Sequence, residues 1–536
     1  MANLNTKKND ADVIVVGCGA GGGVVAKELA EAGFSVIVLE AGKRYDPAKD
    51  YPTDKQDFEV HAPRAFDPDD DRRDLVTSGP QGFNCNRVKG VGGATLHYVA
   101  ISPRFHESDF RVRTEDGVAD DWPINYADLE PYYELVENEL GVSGPTGLNA
   151  NPFEAPRKNR FPTPPHDFNL AGRILKRGSD KLGLHLVREP LAIPTIDWNN
   201  RPACINAGTC ALGCQIAAKS SIDVTYVPKA EATGRVSIRP QSMAREITVT
   251  ADGRADGVIY FDADGEEQQI RARAVVVAGS ALETPRLLLM SKSSKFPHGL
   301  ANSSGCVGKY FMEHLTVFAY GVFDERIDPW RGVPSGGMIQ DFYATRKSNP
   351  FVRGWTILGE TGQLWPFATA RRVGGWGKAH KERMKKMFGH LVALATVGEQ
   401  LPDPRNQVTL DPVVKDIYGL PVPHIVNEPR DNDAAMLKAI SLSLADVLKA
   451  SGATEVWEET HRPGRSSHYL GTCRMGLDPA TSVVNEWGRA HDVPNLFIGD
   501  GSVFVTGAAV NPALTISALA TRAAEGIINA FENNEL

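Results

Sequence analysis

A glycine-rich turn between an apolar strand and a helix constrains the fold of this chain more than any other feature. Residues 12–40 read as strand, turn, helix and strand, which is a compact βαβ unit. The turn has the G-x-G-x-x-G spacing and comprises Gly17, Gly19, Ala20, Gly21 and Gly22. The first glycine permits the tight turn, the second lets the backbone approach a pyrophosphate, and the last lets the helix pack on the strand. The unit therefore predicts a dinucleotide bound at the positive N-terminal end of the helix.

The acidic residue that ends the second strand of this unit supports the same prediction. Glu40 lies 23 residues after Gly17 and is followed by Ala41. A carboxylate at this point is expected to accept hydrogen bonds from both ribose hydroxyls of the dinucleotide. The pattern by itself does not distinguish NAD from FAD.

Two further segments favour a flavin over a nicotinamide cofactor. Residues 87–95 (RVKGVGGAT) form a glycine-rich loop whose Gly92, Gly93 and Thr95 suit close approach of the backbone to a flat ring. Near the C-terminus, Asp500 follows the apolar strand NLFI, where its carboxylate is expected to hold the ribityl chain. No second G-x-G-x-x-G unit for a nicotinamide cofactor is evident in the sequence.

Length and charge narrow the class of protein. A chain of 536 residues exceeds what one hydrophobic core usually supports, so two domains are expected. The net charge of -8 supports neither nucleic-acid binding nor anchoring on anionic lipid, and the basic run from Lys378 to Lys386 is interpreted as a solvated helix face. Neither a secretory signal nor a run of roughly 18 apolar residues is present, which predicts a cytoplasmic protein without membrane insertion. Export together with a partner subunit stays open.

Three of the seven cysteines, Cys204, Cys210 and Cys214, lie within eleven residues. An odd number of cysteines in such a chain argues for thiols or a metal site over a disulfide framework. Thiolates this close can ligate a 3Fe-4S cluster. Buried structural thiols are the interpretation we favour, because no fourth cysteine is near and Gln215 stands where a cluster motif often has proline.

Several ordered motifs together resemble the glucose-methanol-choline (GMC) oxidoreductase family. They are GCGAGG with Glu40, GVGGATLHY, DWPINYADLEPYY, AGSALETPRLLLMS, NSSGCVGKYFMEH, HYLGTCRMG and NLFIGDGSVFVTGAAVNPALTISALATRAA. The likeness runs from Asp12 to the C-terminal helix and is looser between about 320 and 455. Within the family the chain looks most similar to bacterial FAD-dependent sugar dehydrogenases and pyranose or glycoside oxidases.

The resemblance implies an α/β (α+β) fold with two interleaved domains. A Rossmann-like FAD-binding domain is expected from residues 1–130, 215–318 and 466–536. A substrate-binding domain, with an antiparallel sheet flanked by helices, is expected from residues 131–214 and 319–465. Gly279, Gly501 and Pro512 complete the cofactor contacts that the resemblance implies, and FAD is the implied cofactor.

The resemblance also implies a catalytic pair, His468 and Asn511. Oxidation of an alcohol requires a base within hydrogen-bond reach of the hydroxyl, and imidazole titrates near neutral pH. His468, in SHYLGTC, matches the family's catalytic histidine, and Asn511, in VNP, matches the second member of its pair. An amide can orient the substrate hydroxyl without competing for the proton. Capping of the C-terminal helix is a second role open to Asn511.

His97, in GGATLHY, occupies the position at which some pyranose oxidases bond a histidine covalently to the flavin. Ordinary packing beside the ring is the alternative that we favour. The four tryptophans Trp330, Trp355, Trp365 and Trp376 could stack on pyranose rings, but core positions are expected for them.

The expected reaction is oxidation of a secondary CH-OH group of a sugar or glycoside to a ketone, with oxygen or a quinone as acceptor. One alternative is the catalytic subunit of a sugar dehydrogenase that passes electrons through a cluster at Cys204, Cys210 and Cys214. Others are a non-sugar alcohol oxidase, a flavin-bearing lyase and a flavoprotein kept as a binding module. The sequence leaves homo-oligomers and electron-transfer subunits open as partners.

Overall fold

The computed structural model describes residues 9–51, 77–79, 87–145, 147, 150–360, 364 and 366–536. Residues 46–80 are rich in Pro and Asp and lack periodicity, which predicts a loop. Most of them, together with Cys85 and Trp365, lie outside these described residues.

The described residues contain eleven α-helices and fifteen strands. The helices are α1 Gly22–Glu31, α2 Pro47–Asp50, α3 Val112–Asp116, α4 Tyr126–Leu140, α5 Leu170–Lys181, α6 Tyr226–Ala232, α7 Ser280–Met290, α8 Pro366–Val373, α9 Gly377–Met387, α10 Asp431–Ser451 and α11 Ala513–Glu532. The strands are β1 Ala11–Val16, β2 Val36–Leu39, β3 Leu186–Val187, β4 Val236–Arg239, β5 Met243–Val249, β6 Ala255–Phe261, β7 Glu267–Val277, β8 Phe318–Val322, β9 Met338–Ile339, β10 Trp355–Glu360, β11 Leu391–Gly398, β12 Gln407–Lys415, β13 Pro421–Val426, β14 Glu455–Glu459 and β15 Leu496–Ile498.

Seven of the described strands form one sheet, in the order β4-β2-β1-β7-β6-β5, with β15 also pairing with β7. Strands β4, β2, β1, β7 and β15 run parallel, whereas β5, β6 and the first half of β7 form an antiparallel meander. Val13, Ile14 and Val15 pair with β2 on one side and β7 on the other, and all three are fully buried. A strand buried on both faces requires a continuous apolar run, which the sequence VIVV supplies. The predicted Rossmann-like unit is confirmed.

Six other described strands form an entirely antiparallel sheet, in the order β14-β8-β11-β10-β9-β3. Helices α5 and α10 pack against this sheet. Their apolar faces form a second core, which includes Ile174, Leu175, Ile440, Leu444 and Val447. The predicted second domain, an antiparallel sheet flanked by helices, is therefore confirmed.

The chain passes between the two sheets several times. Strands of the first sheet come from residues 11–39, 236–277 and 496–498, and those of the second come from the intervening segments. The domain boundary predicted at residue 130 falls inside α4, and α4 packs along α11.

The C-terminal helix α11 carries the end of the chain back to the glycine turn. It packs against α1 and α4, and the Ser517 hydroxyl donates a 2.9 Å hydrogen bond to the carbonyl of Ala20. Because α11 begins directly after Asn511 and Pro512, this packing fixes the position of both residues. None of the described helices combines the length and apolar character needed to cross a bilayer.

Candidate active site

The two glycine loops predicted to hold the cofactor lie against each other, backbone to backbone. Gly93 has a left-handed φ of +55°, and a Cβ there would lie 2.7 Å from the Cα of Gly19. The amide of Gly92 donates to the carbonyl of Cys18 at 2.9 Å, and Thr95 closes its own turn by donating to Gly92 at 2.6 Å. Position 93 therefore requires glycine, because a Cβ there would collide with backbone atoms that cannot move aside, whereas a Cβ on Gly19 would lie 3.6 Å from the Cα of Gly93, an ordinary contact.

Three features of these loops fit the binding of a dinucleotide. Helix α1 begins at Gly22, directly after the cap residue Gly21, and no side chain caps its first turn, which suits a phosphate at this end of the helix. Gly19 and Ala20 keep part of their surface exposed beside these groups. Arg87, which forms an ion pair with Glu283, buries its Nε and Nη2 atoms without a hydrogen-bond partner. Unsatisfied buried donors are costly, and a polar ligand would satisfy them.

Glu40 is buried at the end of β2 and accepts three hydrogen bonds from backbone amides. Its Oε2 accepts from Cys18 at 2.9 Å, and its Oε1 accepts from Gly42 at 2.8 Å and Gly90 at 3.0 Å. A carboxylate has about four acceptor positions, so about one remains for a ligand. Glu40 therefore links the two glycine loops, and its predicted contact with both ribose hydroxyls is reduced to room for one.

Asp500 has a similar structural role at the end of β15. Its Oδ2 accepts from the amide of Ser280 at 2.9 Å and the hydroxyl of Thr284 at 2.5 Å, and its Oδ1 accepts from the amide of Ser502 at 2.8 Å. Ser280 follows Gly279 and has a left-handed φ of +90°, which is strained for a residue with a Cβ. Asp500 thus connects the carboxyl end of the first sheet, including Gly501, to the start of α7.

The predicted catalytic residues are brought together across 43 positions of sequence. Asn511 Nδ2 lies 3.4 Å from His468 Nε2. Pro512, not Asn511, occupies the cap position of α11, and the structure contains no side-chain cap there. The Oδ1 atom of Asn511 is buried without a hydrogen-bond partner. The capping role for Asn511 is therefore wrong, and its amide remains available to a ligand.

A second histidine, which sequence reasoning missed, contacts His468 from the side opposite Asn511. His314 Nδ1 lies 2.8 Å from His468 Nδ1, and His314 Nε2 lies 3.1 Å and 3.0 Å from the carbonyl oxygens of Gly507 and Ala508. Carbonyl oxygens only accept, so His314 Nε2 must carry a proton and donate it to them.

These partners determine the tautomer of His468. Burial lowers the pKa of His314 to about 4, so this imidazole is neutral near pH 7 and its Nδ1 has a lone pair. The Nδ1-H of His468 must then donate to His314, which leaves the lone pair of His468 on Nε2, the atom facing Asn511. Burial also lowers the pKa of His468 well below its usual value, with a smaller contribution from His314.

The backbone that precedes His468 is held by a buried carboxylate. Glu313 accepts from the amide of Gly464 at 2.7 Å, from Asn427 Nδ2 at 2.8 Å and from the Ser466 hydroxyl at 3.1 Å. The Ser466 hydroxyl in turn accepts from the amide of His468 at 3.2 Å. Burial raises the pKa of Glu313 to about 7. Glu313 therefore positions the backbone of His468, and the adjacent His314 positions its ring. The only sequence signal for these two residues was the FMEH motif, to which sequence reasoning assigned no role.

His97 and the predicted flavin loop are attached to the cysteine segment through Lys219. The Nζ atom of Lys219 is fully buried and donates to the carbonyls of Leu96 and Cys210 at 2.8 Å and of Tyr98 at 3.2 Å. His97 Nδ1 donates to the carbonyl of Ala211 at 2.9 Å, and burial lowers its pKa to about 4. Lys219 is a second residue whose role sequence reasoning missed.

The three neighbouring cysteines lie in this same segment, with Cys210 buried and Cys204 and Cys214 half-buried. In the part of the chain that the structure describes, no group of three or more His, Cys, Asp and Glu residues is arranged to hold a metal ion. The alternative of a 3Fe-4S site is therefore unsupported, and the six described cysteines are free thiols, as in the interpretation favoured from the sequence.

Comparisons of the sequence and the structure with known proteins agree on one protein family. Models of the GMC oxidoreductase family match residues 12–316 and 402–520. The chain is 36% identical to the 2-methyl-1,2-propanediol dehydrogenase of Mycolicibacterium austroafricanum, over 99% of this chain and 97% of that protein. It is 31% identical to the fructose dehydrogenase large subunit of Gluconobacter japonicus, over 98% and 99% of the two chains. Among solved structures, one of Aspergillus oryzae formate oxidase, described as concerning FAD modification, superposes with a TM-score of 0.69 at 16% identity. The superposition covers 99% of this chain and 100% of that one.

The tautomer assignment can be tested without any substrate. We expect nitrogen NMR of labelled histidine to find the proton of His468 on Nδ1 in the parent protein. His314→Leu removes the acceptor, so the two tautomers of His468 should mix, whereas His314→Gln keeps an acceptor oxygen and should preserve the Nδ1-H form. An unchanged Nδ1-H tautomer in His314→Leu would show that His314 does not select it.

Proposed function

The chain belongs to the GMC oxidoreductase family and is an FAD-dependent oxidoreductase of CH-OH donors. From this premise, we propose that it oxidises a secondary hydroxyl of a sugar or glycoside to a ketone. The observation that carries the proposal is the lone pair of His468 Nε2, directed at the otherwise unpartnered amide of Asn511.

His468 acts as the general base in this proposal. Its Nε2 takes the hydroxyl proton, and the resulting positive charge is stabilised by the hydrogen bond from Nδ1-H to His314. Because His314 already donates its own proton to the carbonyls of Gly507 and Ala508, it accepts from His468 without becoming charged. The pair therefore keeps the basic nitrogen on the substrate side.

Asn511 orients the substrate. Its Oδ1 can accept from a second hydroxyl, or its Nδ2 can donate to the oxygen that loses the proton. Negative charge that develops on this oxygen would be stabilised by an amide donor already held in place by α11. A vicinal diol, as found in sugars, offers groups for both atoms of the amide.

Bound FAD supplies the acceptor for the hydride that leaves the carbon. The residues proposed to hold it are the turn from Gly17 to Gly22, Glu40, the loop at Gly92, Gly93 and Thr95, and the backbone near Gly279 and Asp500. The turn offers backbone amides that no side chain caps, and Glu40 offers one free acceptor position. The neighbouring Arg87 adds two buried donors without a hydrogen-bond partner. His97 is proposed to pack beside the ring, with its Nδ1 committed to Ala211.

Two classes of substrate follow from the relatives. The fructose dehydrogenase large subunit supports a sugar, and the 2-methyl-1,2-propanediol dehydrogenase supports a small non-sugar diol as the second candidate. A panel of ketoses, aldoses, methyl glycosides and small diols, read by anaerobic bleaching of the flavin, distinguishes the two. If none of these donors bleached the flavin, a lyase or a binding role would replace the proposed oxidation.

Replacement of the base tests the mechanism. We expect His468→Ala to slow anaerobic flavin reduction by roughly 100-fold or more, while the amount of bound flavin stays unchanged. The exposed His298 provides a matched control, since His298→Ala should reduce at the parental rate. A His468→Ala variant that reduces its flavin as fast as the control would exclude His468 as the base.

The pH dependence should reflect the lowered pKa of His468. The active form is the neutral imidazole, so activity is retained above the His468 pKa and lost as the pH falls through it. Since burial lowers this pKa below 6.5, the acid limb of kcat/KM should lie below pH 6.5. An acid limb above that value, measured with a donor whose own pKa is far away, would contradict the assignment.

The alternative role, as the subunit of an electron-transfer complex with a 3Fe-4S cluster, has a direct assay. We expect iron to be substoichiometric to flavin in the purified protein and the visible spectrum to contain flavin bands alone. Reduction of a soluble quinone should persist in Cys204→Ser. Stoichiometric iron that is lost from this variant would favour the cluster and an acceptor subunit over direct reaction with oxygen or a quinone.

A further inference from the structure

Helices α8 and α9 form a hairpin, here called the basic hairpin (residues 366–387), inserted between β10 and β11. Its inner side is apolar: Val373 and Met387 are buried against the second sheet, and Met384 packs beside them. The turn between the helices is held by His380, whose Nδ1 donates to the carbonyl of Gly374 at 2.8 Å. The hairpin is therefore a fixed element of the second domain.

The turn of the basic hairpin exposes a tryptophan. Trp376 is 88% exposed, whereas Trp355 is buried and Trp330 stacks on Phe388. The expectation that these tryptophans are core residues is thus wrong for Trp376. Its neighbours Gly374, Gly375 and Gly377 all have left-handed φ angles, between +64° and +78°, which other residues rarely adopt. The turn geometry therefore presents a large aromatic ring to the surroundings.

The outer side of the basic hairpin is cationic. Residues 366–387 contain seven Lys and Arg side chains and a single acid, Glu382, within a chain whose net charge is -8. One of the seven, Arg372, lies on the inner side and donates to the Tyr320 hydroxyl at 3.0 Å. Lys378, Lys381 and Lys385 recur at helical spacing on the exposed side of α9. The Lys378 ammonium lies 3.8 Å from Glu382, and Lys386 pairs with Glu455 at 3.4 Å. The predicted solvated face is confirmed as exposed, and Lys381, Arg383 and Lys385 form no ion pair with another described residue.

We propose that the basic hairpin docks the protein on the surface of an anionic lipid bilayer. Trp376 would enter the headgroup layer, where tryptophan is favoured, while the lysine stripe contacts lipid phosphates. Lysine is depleted in protein interfaces, where arginine is preferred, so the composition of the stripe favours lipid over a protein partner. The negative net charge of the whole chain does not indicate this local concentration of positive charge.

The docking surface is separate from the candidate active site. The hairpin joins β11 at Leu391, whereas Leu315, next to His314, pairs with Gly398 at the other end of that strand. An eight-residue strand is roughly 25 Å long. Changes on the hairpin surface should therefore leave oxidation of a soluble donor intact, and the docking does not depend on the proposed substrate.

Vesicle co-sedimentation tests the proposal with the full-length holoenzyme. Binding is expected to vesicles of phosphatidylcholine mixed with phosphatidylglycerol, to weaken with added salt, and to be absent with phosphatidylcholine alone. Each lysine at the surface contributes about fivefold in affinity, so Lys378→Gln combined with Lys381→Gln should weaken binding roughly 25-fold. Trp376→Ser should weaken binding at every salt concentration, because it removes the apolar contact and leaves the charge unchanged.

The matched control is Lys438→Gln combined with Lys449→Gln, two exposed lysines of α10. This variant should bind like the parent, and all variants should keep the parental melting temperature and rate of oxidation. The proposal is overturned if the parent does not bind anionic vesicles, if it binds neutral vesicles equally, or if the control weakens binding as much as the hairpin variant. Salt-sensitive binding to an acidic protein or RNA without vesicle binding would also overturn it.

Discussion

The hydrogen bond between Nδ1 of His314 and Nδ1 of His468 is the interaction on which the proposed chemistry of this site depends. An imidazole has two nitrogens, and only the one facing the substrate is useful as a base. The Nδ2 group of Asn511, 3.4 Å from Nε2, also fits a lone pair on that atom. The selection comes from two backbone carbonyls, at Gly507 and Ala508, which hold the proton of His314 on Nε2 and so leave its Nδ1 free to accept.

The segment that carries those carbonyls is attached, through Thr506, to a buried ionic network. Arg353 donates to Glu399 at 2.6 Å and Asp116 at 3.1 Å, and it also contacts Asp109. The carbonyl of Asp109 accepts from Thr506 at 3.0 Å. Buried ion pairs seldom add net stability, but loss of one partner typically costs 3–5 kcal/mol, roughly, because the remaining charge is uncompensated. The network is better explained as fixing the 506–511 segment, where Ala508 has a left-handed φ of +56°.

The sequence was sufficient for the backbone framework and for the two residues at its centre. The glycine turn, Glu40 and the apolar strands could be predicted because all of these requirements fall within one βαβ unit, residues 12–40. The approach of His468 and Asn511 to within 3.4 Å was implied by a family resemblance. His314 could not be found this way, since it lies 154 positions from its partner and no spacing rule relates them. The same holds for Arg353, and for Trp376, whose exposure depends on how the hairpin packs.

Lys219 joins the segment that carries the three cysteines to the glycine-rich loop that is proposed to contact the flavin. Its ammonium donates to carbonyls on both segments, Leu96 and Tyr98 on one side and Cys210 on the other. Burial lowers the Lys219 pKa to about 8, so the charge persists at neutral pH and needs these three carbonyls as compensation. His97 adds a fourth link through Ala211. The carbonyl groups of the cysteine segment therefore hold the loop that is proposed to face the flavin, while the thiols of Cys204 and Cys214 accept from the backbone amides of Asn206 and Lys219 at 3.3 Å and 3.4 Å.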